Sequence, residues 1–290
     1  MPDDNKLILR HQLKPGNLVV APGVYDLISA MSADRMNFDA IYMTGYGVVA
    51  SHLGLPDAGL ASYAEMKNRV ETIASRTKTP LIADADTGFG GLLNVDWTVR
   101  GYEMAGAAAI QIEDQEFPKK CGHTLGRRVV PLEDMVQKIK VARDARDNDD
   151  FLIIARTDAR TAHGLDEALR RAEAFANAGA DILFVESPES EEEMEKICTS
   201  FDLPCLANMV EGGRTPVLSR ERLIEIGYQI AIFPATAFLA AAAAFESLYG
   251  TLKTEGSSIG AEVQLFPFNE MSKLMGFERV WEFDKKHSLN

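Results

Sequence analysis

In the stretch PLIADADTGFGG, residues 80–91, a continuous apolar run ends abruptly in two aspartates and a glycine-rich turn. A run without polar alternation suits a strand buried on both faces, as in a parallel sheet. With Pro80–Ala85 as the pattern, the same design recurs at Leu18–Ala21, Ala40–Met43, Ala108–Ile112, Phe151–Ala155, Ile182–Val185, Cys205–Ala207 and Gln229–Phe233. Amphipathic stretches such as Leu132–Arg146 and Leu165–Ala178 lie between the runs. The Ala-Gly-Ala triplets at 105–107 and 178–180 stop helices just before the next run. Repeated strand–helix units in 290 residues predict an α/β fold, a (β/α)8 TIM-type barrel. A doubly wound open sheet is the alternative. No Pro/Gly/Ser-rich linker divides the chain, so residues 1–290 read as a single barrel domain with a helical extension from about Thr251. Glu255-Gly-Ser-Ser breaks that extension and Met271–Phe283 resumes a helical pattern.

A hydrophobic share of 46% with 25% charged residues excludes wholesale disorder. The net charge of −13 repels phosphate backbones and anionic lipid, which argues against nucleic-acid and membrane partners. Three cysteines, Cys121, Cys198 and Cys205, form no disulfide framework. The N-terminus has no apolar signal core, and the longest apolar stretch, Ile230–Phe245, is interrupted by Pro234 and mostly alanine. These features predict a soluble cytoplasmic protein.

In a barrel, chemistry collects where the strands end. Those ends carry Tyr42-Met-Thr-Gly-Tyr-Gly47, Asp84-Ala-Asp86, Glu113-Asp-Gln115, Arg156-Thr-Asp158, Glu186-Ser187, Asn208 and Glu211. One buried carboxylate at a strand end is ordinarily a paired structural group; so many on one rim point to a site. Asp84 and Asp86, two apart on a strand, should point to the same side, with Glu113 ending the next strand. Three converging carboxylates call for a cation, and all-oxygen ligands favour Mg2+ or Mn2+ over zinc. The five histidines show no zinc spacing and the strands contain no lysine, which argues against zinc and Schiff-base aldolases. Gly88-Phe-Gly-Gly91 matches neither dinucleotide- nor phosphate-loop patterns and reads as a turn that lets backbone approach a ligand. Cys121, in the loop Pro118-Lys-Lys-Cys-Gly-His123 beside Lys119, Lys120 and His123, should have a depressed pKa and exchange a proton near neutrality. Such a loop can act as a lid. Cys198 and Cys205 read as packing residues.

Through Asp84-Ala-Asp-Thr-Gly-Phe-Gly, Ile112-Glu-Asp-Gln, Lys119-Lys-Cys-Gly-His and Ala155-Arg-Thr-Asp-Ala159 the chain resembles the isocitrate lyase/phosphoenolpyruvate mutase superfamily along nearly its whole length. The Lys-Lys-Cys-Gly-His match is the specific one and looks like the lyase branch. The resemblance implies a barrel whose last helix is exchanged between subunits of a dimer-of-dimers homotetramer. It implies Mg2+ held directly or through water by Asp84, Asp86 and Glu113, with Asp57 behind them. Thr44, Gly45 and Tyr46 would present donors to the carboxylate of a 2-oxo acid. Arg156, Glu186 and Asn208 would complete the pocket, with Gly122 and His123 holding a second carboxylate.

The implied reaction is retro-aldol (retro-Claisen) cleavage of a 2-hydroxy dicarboxylate to pyruvate or another 2-oxo acid. Tyr42 maps to the family's candidate base and Cys121 to the acid that protonates the departing carbanion. The branch's methylisocitrate lyases carry an arginine after the proline of strand eight. Here Pro234-Ala-Thr-Ala-Phe-Leu-Ala-Ala has none, while Asn208-Met-Val-Glu-Gly-Gly213 and Phe266–Phe268 look like the dimethylmalate and petal-death branch. Leu239 and Phe268 would then line a less charged pocket, favouring a 2-alkylmalate such as 2,3-dimethylmalate. The alternatives are 2-methylisocitrate lyase, carboxyphosphonoenolpyruvate phosphonomutase and oxaloacetate hydrolase. Pro234 counts against the last, where a serine is expected.

Overall fold

The computed structural model describes residues 2–124 and 126–288. Eight strands form one parallel sheet: β1 (Val19–Val24), β2 (Ile41–Met43), β3 (Leu81–Asp84), β4 (Ala109–Glu113), β5 (Leu152–Thr157), β6 (Ile182–Val185), β7 (Leu206–Asn208) and β8 (Ile230–Phe233). Their order is β6-β5-β4-β3-β2-β1-β8-β7. A parallel bridge between Leu183 and Cys205 joins the two ends, so the sheet closes on itself as a TIM-type (β/α)8 barrel. The expected open-sheet alternative is thereby excluded.

Alternation along each strand divides the core in two. Val19, Ala21, Tyr42, Ile82, Ala109, Ile154, Phe184, Leu206 and Ile232 pack together inside the barrel, joined by Leu9 from the helix Pro2–Gln12. The other faces of the strands, Leu81 and Ala83 among them, pack against helices such as Tyr63–Ala74, Leu132–Ala145 and Leu165–Ala178. This is why the strands read as unbroken apolar runs: both faces lose water, and each large side chain so buried contributes about 1.5–3 kcal/mol. Gly179, at φ 105, ends the helix before β6, as its Ala-Gly-Ala triplet predicts.

The chain falls into two compact units, residues 1–238 and 239–290. The helix Thr236–Glu255 begins in the first and is completed in the second, which adds helices at Phe268–Leu274 and Phe277–His287. The single helix expected over Met271–Phe283 is two, because Gly276 takes φ 85, a left-handed turn that α-helix cannot continue through. Among the described residues no helix is long and apolar enough to cross a membrane.

Candidate active site

The acidic side of the rim starts at β2. Thr44 caps the helix Gly45–Leu53, accepting from the Gly47 N–H at 3.4 Å, and the Gly45 N–H donates to Asp84 Oδ2 at 3.2 Å. A Cβ at position 45 would lie 2.5 Å from that oxygen, so the approach requires glycine. Asp84 Oδ1 accepts from the Asp86 N–H at 3.0 Å and from Gln111 Nε2 at 3.3 Å, and Gln111 Oε1 accepts from the Tyr42 hydroxyl at 2.9 Å.

Strand periodicity does not bring Asp84 and Asp86 together, contrary to expectation. β3 ends at Asp84, and Asp86 sits in a turn at φ 48 that folds its carboxylate back beside its neighbour. The Asp86 carbonyl accepts from the Glu113 N–H at 2.9 Å, setting the ends of β3 and β4 side by side. Lys119, expected beside the thiol, is the counter-charge of this cluster. Its ammonium pairs with Asp57 and lies 2.8 Å from Asp86 Oδ1. Burial pushes Asp86 up to about 6 against the pull of Lys119, and pushes Glu113 well above the carboxylate range against the pull of Arg156. Although burial opposes the charge on Lys119, Asp86, Asp57, Glu113 and Asp84 hold its pKa well above normal. Burial and Asp84 raise Tyr42 likewise, so the phenol is protonated and donates to Gln111.

These residues fit a hard divalent cation. Every donor is oxygen, and Glu113 Oε1 is buried with no hydrogen-bond partner, a costly state unless a cation or water is brought to it. Among the described residues no three His, Cys, Asp or Glu side chains converge as ligands on one point, so the expected convergence of Asp84, Asp86 and Glu113 is not complete in these side-chain positions.

The arginine side lies on β5 to β7. Arg156 forks onto Asp158, Nε to Oδ2 and Nη2 to Oδ1, both at 2.9 Å. The outer edge of the guanidinium faces Glu113 Oε2 at 3.4 Å and Glu186 Oε2 at 3.3 Å, with Phe184 beneath at 5.0 Å. Although burial opposes it, Arg156 and Arg127 draw the Asp158 pKa below the ordinary carboxylate value. Asn208 Nδ2 donates to Glu186 Oε2 at 3.0 Å and lies 3.2 Å from His123 Nε2; the Arg214 N–H meets His123 Nδ1 at 3.3 Å. Burial lowers the His123 pKa, against the pull of Glu186.

The cysteine loop spans both sides. The Cys121 N–H donates to the Asp57 carbonyl at 3.1 Å, and the Gly122 carbonyl accepts from Ser187 Oγ at 3.0 Å. Gly122 touches the arginine side so closely that a Cβ there would clash with Arg156 Nη2 and Glu186 Oε2. The depressed thiol pKa expected from the neighbouring cations is not found: burial pushes Cys121 up. Burial outweighs the pull of Arg156 and Lys119, the latter being paired with Asp57 and Asp86, while Lys120 turns to the Gly126 carbonyl at 2.9 Å.

Tyr46 remains partly exposed, its ring 5.1 Å from Phe238. Pro234 follows β8, its carbonyl packed so tightly on Gly23 that a Cβ there would lie 2.5 Å away. Glu211 accepts from Thr236 Oγ1 at 2.7 Å. Leu239 and Phe268, expected beside the pocket, belong to the second unit and are exposed. Residues the sequence reading passed over are Gln111, which bridges Tyr42 and Asp84, and Arg127, which grips Asp158 at 2.7 Å. A glutamine in the middle of the apolar run 108–112 was the available signal for the first; nothing in the sequence marks the second.

Residues 9–252 match the family model described as phosphoenolpyruvate phosphomutase. The chain is 50% identical to the 2,3-dimethylmalate lyase of Eubacterium barkeri, covering 97% of each. It is 43% identical to a 2-methylisocitrate lyase of Aeropyrum pernix, over 93% of this chain and 87% of that one. Among solved structures, a 2,3-dimethylmalate lyase described as a PEP mutase/isocitrate lyase superfamily member superposes with a TM-score of 0.90 at 36% identity, covering 99% of this chain and 95% of that one. A phosphonopyruvate hydrolase solved with oxalate and Mg2+ superposes with a TM-score of 0.87 at 30% identity, over 98% and 99% of the chains. With the closed barrel, the crowded rim and these matches in agreement, the chain belongs to the phosphoenolpyruvate phosphomutase family, within the PEP mutase/isocitrate lyase superfamily.

Proposed function

We propose that the protein is a Mg2+-dependent carbon–carbon lyase that cleaves a 2-alkylmalate such as 2,3-dimethylmalate into pyruvate and a carboxylate. The observation that carries this reading is Cys121: a half-buried thiol whose pKa burial raises, in a loop whose backbone docks on the Asp57 carbonyl and meets Arg156 and Glu186. A neutral acid beside a carboxylate-binding arginine is what protonation of a departing carbanion needs. The 50% identity to a 2,3-dimethylmalate lyase supports the substrate class.

In the proposed reaction the C2–C3 bond breaks, its electron pair goes to C3, and the C2 hydroxyl becomes the 2-oxo group of pyruvate. The Cys121 thiol gives its proton to C3. Arg156 binds the substrate oxygens at C2 and the adjoining carboxylate through the guanidinium edge that Asp158 leaves free. Thr44, Gly45 and Tyr46 orient that carboxylate. Gly122, His123 and Asn208 receive the other, with Glu186 and Pro234 closing the pocket. Tyr42 would take the C2 hydroxyl proton as a phenolate, a form that burial and Asp84 disfavour and that a cation held beside Asp84 would favour. Asp84, Asp86 and Glu113, backed by Asp57, would hold Mg2+, or Mn2+ in its place, which supplies Lewis acidity for the developing oxyanion. The unit 239–290 presents Phe245, Tyr249, Trp281 and Phe283 exposed and its helices bury no side chain, which supports a homotetramer with an exchanged last helix. A cytoplasmic location follows from the same reading.

A second reading, 2-methylisocitrate lyase, is favoured by the 43% identity to such an enzyme. Against it, residues 234–241 carry no arginine for a third carboxylate. Pyruvate release with Mg2+ from 2,3-dimethylmalate, 2-methylisocitrate, isocitrate, citramalate and oxaloacetate in parallel decides between them. Fast turnover confined to the dialkylmalate is expected. Preference for 2-methylisocitrate would transfer the protein to the second reading, and silence on all five would overturn both.

A further inference from the structure

Asp158 is fully buried, and two arginines from different parts of the site share its carboxylate. Arg156, on β5, takes one fork, Nε to Oδ2 and Nη2 to Oδ1 at 2.9 Å each. Arg127, on the far arm of the cysteine loop, reaches in behind it, with Nη1 2.7 Å from the same Oδ1 and Nη2 2.5 Å from Thr161 Oγ1. All three side chains are buried. The arrangement is braced from below: the Asp158 N–H donates to Asp114 Oδ1 at 2.9 Å, and Asp114 Oδ2 accepts from Thr157 Oγ1 at 2.7 Å and Arg171 Nη1 at 3.0 Å.

We propose that Asp158 and Arg127 are positioning residues that make docking of the cysteine loop and orientation of Arg156 a single event. Oδ1 is the shared point. If the loop arm leaves, Arg127 goes with it, the buried carboxylate loses one of its two cations, and the fork on Arg156 is freed to reorient. If Arg156 turns toward a bound anion, Oδ1 compensates by tightening on Arg127 and holds the loop down. The thiol of Cys121 and the guanidinium of Arg156 then reach the substrate together, although neither Asp158 nor Arg127 touches it.

This inference rests on the proposed lyase reading only for its bearing on catalysis; the coupling itself is measurable without substrate. The probe is the rate at which iodoacetamide alkylates each cysteine of the full-length protein, read by mass spectrometry. Loss of one charged hydrogen bond raises the open population, so Arg127→Gln should speed Cys121 alkylation by about ten- to a hundredfold while Cys198 and Cys205 keep their rates. Arg127→Lys should recover part of the protection. Asp158→Asn should speed Cys121 alike, and the double variant should be no faster than the faster single one. In the wild type, oxalate with Mg2+ should slow Cys121 alkylation, and Arg127→Gln should weaken oxalate binding by about tenfold, by reciprocity.

An unchanged Cys121 rate in Arg127→Gln, an equal rise at all three cysteines, or additive effects in the double variant would each overturn the coupling. Arg127→Gln lies on the loop and suffices if Asp158→Asn does not fold. A wild type that turns over no substrate and ignores oxalate would remove the proposed reaction instead, with the alkylation pattern still deciding the coupling.

Discussion

The two sides of the rim are built to opposite standards. On the arginine side, Asp158 has a cation or an N–H on each oxygen and Arg156 spends its fork on that carboxylate. On the acidic side, four carboxylates share Lys119 and the edge of Arg156, Glu113 Oε1 has no partner, and Asp86 and Glu113 are pushed up rather than down. Desolvation wins at Asp86 and Glu113, where several carboxylates share few counter-charges, and loses at Asp158, which two arginines grip at once.

The largest effect should come from dismantling the arginine side. Arg156→Gln leaves Glu186 and one edge of Glu113 buried without their cation and Asp158 with Arg127 alone, and breaking a buried ion pair on one side costs about 3–5 kcal/mol. Urea unfolding of the metal-free protein measures it. A loss under about 1 kcal/mol, the value of a surface pair, would show that Arg156 is not the buried counter-charge of Glu186 and Glu113.

Removing Lys119 from the acidic side should cost less, about 2–3 kcal/mol, because Asp86 at about 6 can take up a proton as the ammonium leaves. In Lys119→Met, Mg2+ should restore most of that, since a ligand at a hundredfold its Kd stabilises by about 2.7 kcal/mol. Melting curves with and without Mg2+ test this. A variant as stable as the wild type without Mg2+, or one that Mg2+ does not rescue, breaks the idea that this side is short of positive charge.

Those two predictions also show what was legible from the residues alone. The barrel was, because burial on both faces turns each strand into an apolar run that needs no partner to be recognised. Asp84, Glu113, Arg156, Glu186 and Asn208 were legible as polar breaks at the ends of such runs. What was not legible is who neutralises whom. Lys119 lies next to Cys121 in sequence, but its stem runs to Asp57 and Asp86, so a thiol expected to be acidified by it is raised by burial instead. Asp86 joins Asp84 through the turn at φ 48 and not through the strand periodicity that the spacing suggests. Pairing in three dimensions leaves no trace in sequence spacing; polarity at a strand end does.

The pH dependence separates the sides further. Asp86, with a folded pKa of about 6 above its ordinary 3.8, contributes stability that is fully present below 3.8 and lost as pH rises through about 6. Asp158, lowered, contributes stability present above 3.8 and lost as pH falls through its folded value. Mg2+ held by the acidic side would compete with the proton there alone, so its stabilising effect should grow from pH 5 to 7, by up to about 1.4 kcal/mol per pH unit per proton displaced. Melting temperatures across that range at fixed Mg2+ read the slope. A Mg2+ effect flat in pH would mean that the ion binds without displacing a proton from this cluster.

The smallest effect tests the seam where the loop meets the arginine side. Ser187 is buried at φ 60, a left-handed conformation that costs a residue with a Cβ about 1–2 kcal/mol. It keeps its place by what its polar groups do: the N–H donates to Glu186 Oε1 at 2.7 Å, and its hydroxyl donates to the Gly122 carbonyl at 3.0 Å. Ser187→Ala keeps the strain and gives up the hydroxyl, for a loss of about 1 kcal/mol. Ser187→Gly gives up the same hydroxyl but relieves the strain, so it should be about 1 kcal/mol more stable than the alanine variant while losing the same share of turnover. Unfolding midpoints for the pair isolate the strain, because the missing hydroxyl cancels between them. Equal midpoints would mean that the backbone at 187 relaxes once the hydroxyl is gone, and that the loop contact itself holds Ser187 in its left-handed state.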